Sequence, residues 1–171
     1  MLYLLRHCKA LGQEIDADLT SEGAELSQNI IRKLEGLKID KIYSSLMKRA
    51  IKTVEPFAIK NNMEINIDSR LAERVLTREN TEKFLLYLKK SFFDYKLKFE
   101  GGESSEEAVA RAMELLNEIR TDENTLIVSH GNLIDLIINN FEKFGYDDWK
   151  DLKNPDLWEI DNNGSVKKII L

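Results

Sequence analysis

The chain has 171 residues, of which 43% are hydrophobic and 32% charged, a length at which one domain can bury a sizeable core. Its formal net charge is −5 and its basic residues are spread among acidic ones, so the charge pattern of a nucleic-acid-binding protein is missing. No run approaches the roughly eighteen apolar residues of a membrane span, and the opening apolar run is too short for a signal peptide. We therefore expect a single domain over 1–171 in the cytoplasm, with neither nucleic acid nor a membrane as partner.

In the first half of the chain, short apolar runs alternate with helical patterns. Thr20 can cap a helix that ends near Gly36. A later helical pattern contains Pro56, which predicts a kink or an early stop. The strands predicted in this half lie at 1–5, 39–44 and around 65–67.

The second half continues the alternation. Ser104 and Glu107 have the spacing of a capping box that opens a helix. A strand over 126–129 and a further helix follow, and Asn163 with Gly164 predicts a hairpin between two final strand-like runs. Strands separated by helices are typical of βαβ units. We predict an α/β fold of three layers, α/β/α, with a mainly parallel central sheet and helices on both faces.

The chain contains only two histidines, and each follows a predicted strand. His7 comes after the first strand and its Arg6, and His130 comes after the strand at 126–129. Ligands of open α/β sheets bind outside the carboxyl ends of the strands, so both imidazoles could face one crevice. Two unrelated structural histidines are the alternative, but the arginine beside His7 favours a shared site for an anion.

Several motifs together resemble the histidine phosphatase superfamily, in the branch of the cofactor-dependent phosphoglycerate mutases and their small phosphatase relatives, over nearly the whole chain. They are Leu5-Arg6-His7, Leu19-Thr20 with Gly23, Tyr43-Ser44-Ser45 with Arg49-Ala50 and Thr53, Leu71-Ala72-Glu73, Gly101-Gly102-Glu103-Ser104, and Val128-Ser129-His130-Gly131. Each motif alone is weak, whereas their order and spacing together are specific. The resemblance implies a phosphoglycerate mutase-like fold.

The resemblance also implies a mechanism. His7 is the expected nucleophile, forming a phosphohistidine intermediate that water hydrolyses. Arg6, Arg49 and His130 are expected to surround the phosphate oxygens. Arg49 could instead belong to a solvated helix face with Lys48 and Lys52, but the Ser-Ser element before it favours the pocket. No metal and no cofactor is required. Three further groups are candidate phosphate contacts: the backbone N–H groups of Gly131 and Asn132, and the hydroxyl of Ser45. Asn132 is equally consistent with a helix cap, and Ser45 fits a turn or cap better than a phosphate contact.

The leaving alcohol needs a proton, which a nearby carboxylic acid supplies in this branch. Glu73 occupies the matching Leu-x-Glu position and is our first candidate. The Gly-x-Trp-Glu-Gly element that often follows in small relatives is replaced here by 74–79, which weakens the assignment. Glu103 is the rival candidate, and a favourable charge beside a helix start is its alternative interpretation.

Residues 75–100 are predicted to form a cap over the pocket, with four aromatic candidates for substrate contact: Phe92, Phe93, Tyr95 and Phe99. For at least half of these four, apolar packing is the better interpretation. The cap is short for a mutase, which must shelter its phosphoenzyme from water. Cys8 stands where most relatives have glycine, and we expect it to be a small packed side chain.

The favoured function is hydrolysis of phosphorylated small molecules by a metal-independent phosphatase. The alternatives are a protein phosphohistidine phosphatase, a phosphoglycerate mutase-like phosphotransferase and a catalytically silent phosphate-binding relative. The sequence does not name the substrate, and it leaves the oligomeric state open.

Overall fold

The computed structural model describes residues 1–120 and 122–171, and a six-stranded sheet forms its centre. The strands are β1 (Leu2–Arg6), β2 (Lys41–Ser44), β3 (Ile65–Ile67), β4 (Thr125–Ser129), β5 (Asp156–Ile160) and β6 (Val166–Ile169). Their order across the sheet is β3-β2-β4-β1-β5-β6. The four strands from β3 to β1 are parallel, whereas β5 and β6 add antiparallel to the β1 side. The prediction of a mainly parallel sheet is confirmed.

Helices cover both faces of this sheet. They are α1 (Ser21–Asn29), α2 (Ile31–Gly36), α3 (Lys48–Lys60), α4 (Phe84–Phe93), α5 (Ser105–Glu118), α6 (Gly131–Asn139) and α7 (Tyr146–Lys150), with one 3₁₀ turn at Ser69–Leu71. Side chains alternate between faces along a strand. Leu5 packs with α2 and α3 on one face, while Leu4 packs with α5 and α6 on the other. The three-layer prediction is therefore confirmed.

Two local predictions need correction. The helix expected from Thr20 to Gly36 is divided at Ile30, where α1 ends and α2 begins. The adjacent Ile30 and Ile31 at this junction are both buried. Pro56 lies inside α3 and does not end it. Pro56 cannot donate a backbone hydrogen bond within the helix, and burial of α3 side chains in the core offsets that loss.

The later elements follow the sequence patterns closely. Ser104 and Glu107 form both hydrogen bonds of a capping box at the start of α5, at 3.1 and 2.8 Å. The final hairpin joins β5 to β6 through residues 161–165, a longer loop than a two-residue turn, and Gly164 has φ of +81°. None of the helices in the described parts of the chain is long and apolar enough to cross a membrane.

Candidate active site

The register of the two central strands brings the histidines together. β1 pairs in parallel with β4, and Arg6 lies opposite Ser129. Each histidine is the next residue along its strand, so both leave the sheet at the same edge. The His7 N–H donates to the Ser129 carbonyl at 3.0 Å. The ring centroids of His7 and His130 are 5.0 Å apart at an interplanar angle of 61°, which places two imidazoles in one site.

The imidazole of His7 is held in the form that a nucleophile requires. Its Nδ1 lies 2.6 Å from the carbonyl oxygen of Cys8, a contact in which Nδ1 must donate. Nε2 then carries the lone pair and accepts a hydrogen bond from Arg49 Nε at 3.3 Å. Burial, with smaller contributions from Arg49 and Arg6, lowers the pKa of His7 from 6.5 to about 4. His7 is therefore neutral and nucleophilic near neutral pH.

Two guanidinium groups lie beside the imidazoles. Arg49, in the first turn of α3, is 1% exposed, and its Nη1 donates to the carbonyls of Gln13 and Glu14 at 3.1 and 3.0 Å. Arg6 donates from Nη1 to the Leu152 carbonyl at 2.7 Å, while its buried Nε has no partner in the described residues. Both side chains are fixed by backbone carbonyls, which leaves other N–H groups available to an anion.

Gly131 provides the space in which Arg6 lies. A Cβ on Gly131 would sit 2.9 Å from Arg6 Cζ and 3.0 Å from its Nε. Any larger residue at this first position of α6 would displace the guanidinium.

His130 is fully buried and is oriented by Ser45. Its Nε2 lies 2.8 Å from Ser45 Oγ, and that hydroxyl also accepts the Met47 N–H at 3.2 Å. The His130 Nδ1 is buried and has no partner among the described residues. Burial, followed by the charges of neighbouring residues, lowers the pKa of His130 well below 6.5. The contact with the Met47 N–H agrees with the turn interpretation of Ser45, while a contact of its hydroxyl with phosphate stays a prediction.

Glu73 caps the helix that follows His130. Its carboxylate accepts the N–H groups of Asn132 at 3.2 Å, Leu133 at 3.1 Å and Arg74 at 2.9 Å. Burial raises the pKa of Glu73 despite these three hydrogen bonds. The backbone N–H of Asn132 was expected to face the anion and is instead occupied by Glu73. The side-chain Nδ2 of Asn132 is buried without a partner among the described residues, so it is the group that remains available.

Glu103 does not join this cluster. Arg111 binds its carboxylate with two hydrogen bonds of 2.6 and 3.1 Å, on the far side of a buried Arg74 that donates to the Glu103 carbonyl at 3.2 Å. Glu103 is absent from the residues lining the cavity described below. The structure thus separates the two candidate acids and leaves Glu73 at the site.

Cys8 is fully buried, and its N–H donates to Thr53 Oγ1 at 2.8 Å. Burial raises the pKa of the thiol to about 11, which keeps it protonated at neutral pH. The expectation of a small packed side chain agrees with this environment.

A cavity of about 400 Å³ opens beside these residues. Its lining consists of Arg6, Gln13, Met47, Arg49, Glu73, Arg74, Val75, Leu76, Thr77, Phe84, Leu88, Gly131, Asn132 and Trp149. A larger groove of about 890 Å³ lies between α1, α2 and β6, but Arg6, Arg49 and Glu73, which line the smaller cavity, do not line it. The chemistry therefore favours the smaller cavity.

The aromatic side chains expected to meet the substrate lie elsewhere. Phe92 packs on Tyr146, with ring centroids 5.7 Å apart, and Phe99 stacks on Tyr87 at 4.0 Å. Phe93 is 81% exposed, and the hydroxyl of Tyr95 is hydrogen-bonded to Asn139. None of these four candidates lines the cavity, and the packing of Phe92 and Phe99 agrees with the alternative interpretation of apolar packing.

The cavity wall is instead completed by residues that sequence reasoning missed. Phe84 and Leu88 are one helical turn apart on α4 and share a face, which an i, i+4 pattern could have indicated. Trp149 comes from α7, and no sequence signal connects it to the site. The groups that hold Arg6 and Arg49 are backbone carbonyls, which no residue type in the sequence could have indicated.

In the described residues, no group of three or more histidine, cysteine, aspartate or glutamate side chains is placed to hold a metal ion. The positive groups of the site are guanidiniums. The site combines two imidazoles, one of them neutral, with two arginines at the carboxyl edge of an α/β sheet. This arrangement is typical of enzymes that transfer phosphoryl groups.

The model of the histidine phosphatase superfamily (branch 1) matches residues 2–166, and the chain belongs to this family. "Putative phosphoserine phosphatase 2" of Hydrogenobacter thermophilus is 27% identical over 188 residues, covering 99% of this chain and 93% of that protein. Phosphoserine phosphatase 1 of the same organism is 26% identical over 147 residues, covering 75% of this chain and 70% of that protein. The chain is a phosphoric monoester hydrolase of this superfamily.

Solved structures support the fold. The mycobacterial glucosyl-3-phosphoglycerate phosphatase with inorganic phosphate superposes with a TM-score of 0.76 at 21% identity, covering 99% of this chain and 95% of that one. The YhfR protein of Bacillus stearothermophilus superposes with a TM-score of 0.75 at 23% identity, covering 99% of this chain and 95% of that one. These structures show the phosphoglycerate mutase-like architecture of the chain.

Proposed function

We propose that the protein hydrolyses small phosphomonoesters without a metal ion, through a phosphohistidine formed on Nε2 of His7. One observation carries this proposal: a neutral imidazole has Nδ1 bound to a carbonyl and Nε2 beside a buried guanidinium. In that arrangement the free lone pair lies where a bound phosphate would be held by positive charge.

Buried donors without partners support an anionic ligand. Arg6 Nε, His130 Nδ1 and Asn132 Nδ2 belong to three residues around the same site, and none has a partner in the described residues. Buried polar groups are almost always hydrogen-bonded in native proteins. The nonbridging oxygens of a phosphomonoester would accept from these groups and from Arg49.

The reaction proceeds in two displacements. Nε2 of His7 attacks phosphorus, and the bond from phosphorus to the alcohol oxygen breaks while the Glu73 carboxyl gives its proton to that oxygen. In the second step, water attacks the phosphohistidine and gives a proton to the Glu73 carboxylate. The N–P bond breaks, and inorganic phosphate and the starting enzyme are released. The Cys8 carbonyl stabilises the Nδ1–H of His7 throughout.

The test is hydrolysis of p-nitrophenyl phosphate in excess chelator, with trapping of enzyme labelled from a radioactive substrate by a quench in alkaline detergent. Wild-type protein should turn over and yield an alkali-stable, acid-labile phosphoenzyme. His7→Asn should lose both turnover and label. His130→Asn is the matched control, since it removes the other imidazole of the chain and should turn over slowly while still forming the label.

Turnover that survives in His7→Asn would assign the nucleophile elsewhere, and activity lost with the chelator would show a metal requirement. Phosphate binding with no turnover on any ester would indicate a silent relative. Each of these results would overturn the proposal.

A further inference from the structure

Beyond the phosphate end, the cavity wall is apolar. The side chains that form it are Met47, Val75, Leu76, Phe84, Leu88 and Trp149. We infer that the alcohol half of the substrate carries an apolar body, an alkyl chain or an aromatic ring, that packs against this wall. The inference rests on the proposed function and names the substrate class of the same site.

Gln13 is an exposed polar residue of the lining, whereas the other two polar side chains of the wall, Arg74 and Thr77, are already engaged within the protein. Arg74 is 5% exposed and donates to Ser91 Oγ at 2.9 Å and twice to the Glu103 carbonyl at 3.2 Å. Thr77 donates to the Glu100 carbonyl at 3.1 Å. A polyhydroxy or carboxylate-bearing alcohol needs several free partners in its pocket, and burying such groups without partners is costly.

Glu73 and Asn132 remain on the polar side of the cavity. The Glu73 carboxylate is held at the start of α6 by three backbone N–H groups, in the position of a proton donor. Asn132 Nδ2 is the free donor next to it. These two groups serve the phosphate and the ester oxygen. Apart from Gln13, the rest of the alcohol then faces apolar side chains.

Phe84 and Leu88 show how α4 builds this wall. Leu88 is 2% exposed and fixes the helix against the body of the protein. Phe84, one turn earlier on the same face, is 45% exposed and lines the cavity. An exposed aromatic ring at a cavity edge gains by contact with an apolar ligand, because the contact removes both surfaces from water.

The experiment compares kcat/KM for ethyl, butyl and hexyl phosphate with that for glycerol 3-phosphate and phosphoserine. The three alkyl esters have similar leaving groups and differ in apolar length. Wild-type kcat/KM should rise about fourfold with each added methylene until the wall is covered, as expected from the transfer free energy of a buried methylene. Both polar substrates should fall below butyl phosphate.

Two phenylalanines of α4 provide a matched pair of variants. Phe84→Ala should lower kcat/KM for hexyl phosphate about tenfold and flatten the dependence on chain length. Phe93→Ala removes the same ring from the outer face of the helix, where it is 81% exposed and does not line the cavity. Its chain-length dependence should equal that of the wild type.

The outcomes separate this inference from the proposed function. If no phosphomonoester is hydrolysed, the proposed function fails. If esters are hydrolysed but the polar substrates equal or exceed hexyl phosphate, only the apolar-alcohol inference fails. Equal loss in Phe84→Ala and Phe93→Ala would also overturn it, because the effect would then not come from the cavity.

Discussion

The imidazole of His7 is buried beside two guanidinium groups, and its burial and these charges both disfavour protonation. The hydrogen bond from Nδ1 to the Cys8 carbonyl opposes that effect only in part. A histidine in such surroundings is a nucleophile at neutral pH, whereas an ordinary histidine with a pKa of 6.5 is partly protonated.

We expect His7 to titrate near pH 4 in the folded protein. Because the chain has only two histidines, NMR of histidine-labelled protein can follow both rings through an acid titration. Below its folded pKa, His7 gains a proton on Nε2 and can no longer attack phosphorus. The signal that is absent from the spectrum of the His7→Asn variant belongs to His7. A His7 pKa at or above 6.5 would contradict the account of burial and charge.

Glu73 and Glu103 provide a second test at single residues. Glu73→Gln removes the proton donor and should lower kcat about a hundredfold for an alkyl phosphate. The loss should be smaller for p-nitrophenyl phosphate, since that leaving group needs little protonation. Glu103→Gln is the matched control and should keep wild-type activity, because its carboxylate binds Arg111. Larger loss in Glu103→Gln than in Glu73→Gln would reverse the assignment.

At the scale of elements, α6 connects the site to the core. Its first residue makes room for Arg6, its next backbone N–H groups bind Glu73, and its later residues are buried against the sheet. One helix therefore positions Arg6, the proposed phosphate ligand, and Glu73, the proposed proton donor, and forms part of the core. Substitutions at its first residue and in its buried middle should therefore have different consequences.

Gly131→Ala should impair the site with little change in fold. The added Cβ would meet Arg6 Cζ at 2.9 Å, so the guanidinium must move, and kcat/KM should fall about tenfold to a hundredfold. Gly36→Ala, at the end of α2, is the control, because no atom lies within 4 Å of its Cβ. Its kinetics should match the wild type. Unchanged kinetics in Gly131→Ala would show that the position of Arg6 is not critical.

Asp135, also on α6, should make stability depend on pH. It is fully buried, neither carboxyl oxygen has a partner among the described residues, and its pKa is raised to about 9 by burial, then by Asp148 and Glu73. Its pKa in the unfolded chain is about 3.9. Between these two values the folded state binds the extra proton, so the free energy of unfolding falls as pH rises from about 4 to about 9.

Asp135→Asn should remove that part of the pH dependence. Urea unfolding at about pH 6 and about pH 8.5 measures the difference for the wild type and the variant. Asp147→Asn serves as the control, since its side chain is 90% exposed and it should follow the wild-type profile. Parallel profiles for the wild type and Asp135→Asn would refute the expectation.

For the whole molecule, stability comes from two apolar layers on opposite faces of one sheet. Ile127 in the central strand β4 is fully buried, whereas Ile170 beyond β6 is 85% exposed. Ile127→Ala should reduce the free energy of unfolding by about 2–5 kcal/mol, and Ile170→Ala by less than about 0.5 kcal/mol. Urea unfolding compares the two directly. Similar losses would contradict the observed layering.

The sequence by itself determined the α/β class, the strands that end at His7 and His130, and the family. These features are local: apolar runs, caps and motif spacing are written in neighbouring residues. The sequence could also place His7 and His130 at one edge of the sheet, because the carboxyl ends of parallel strands share an edge. It favoured Glu73 over Glu103 as the proton donor but could not exclude Glu103, since both belong to plausible motifs.

Only the tertiary structure decided which groups face the cavity. Glu103 turned to Arg111, the Asn132 N–H was occupied by Glu73, and the aromatic wall came from Phe84 and Trp149. Each of these outcomes depends on the packing of helices that are distant in sequence. Such contacts are set by the fit of side chains between layers, and no local pattern in the chain specifies that fit.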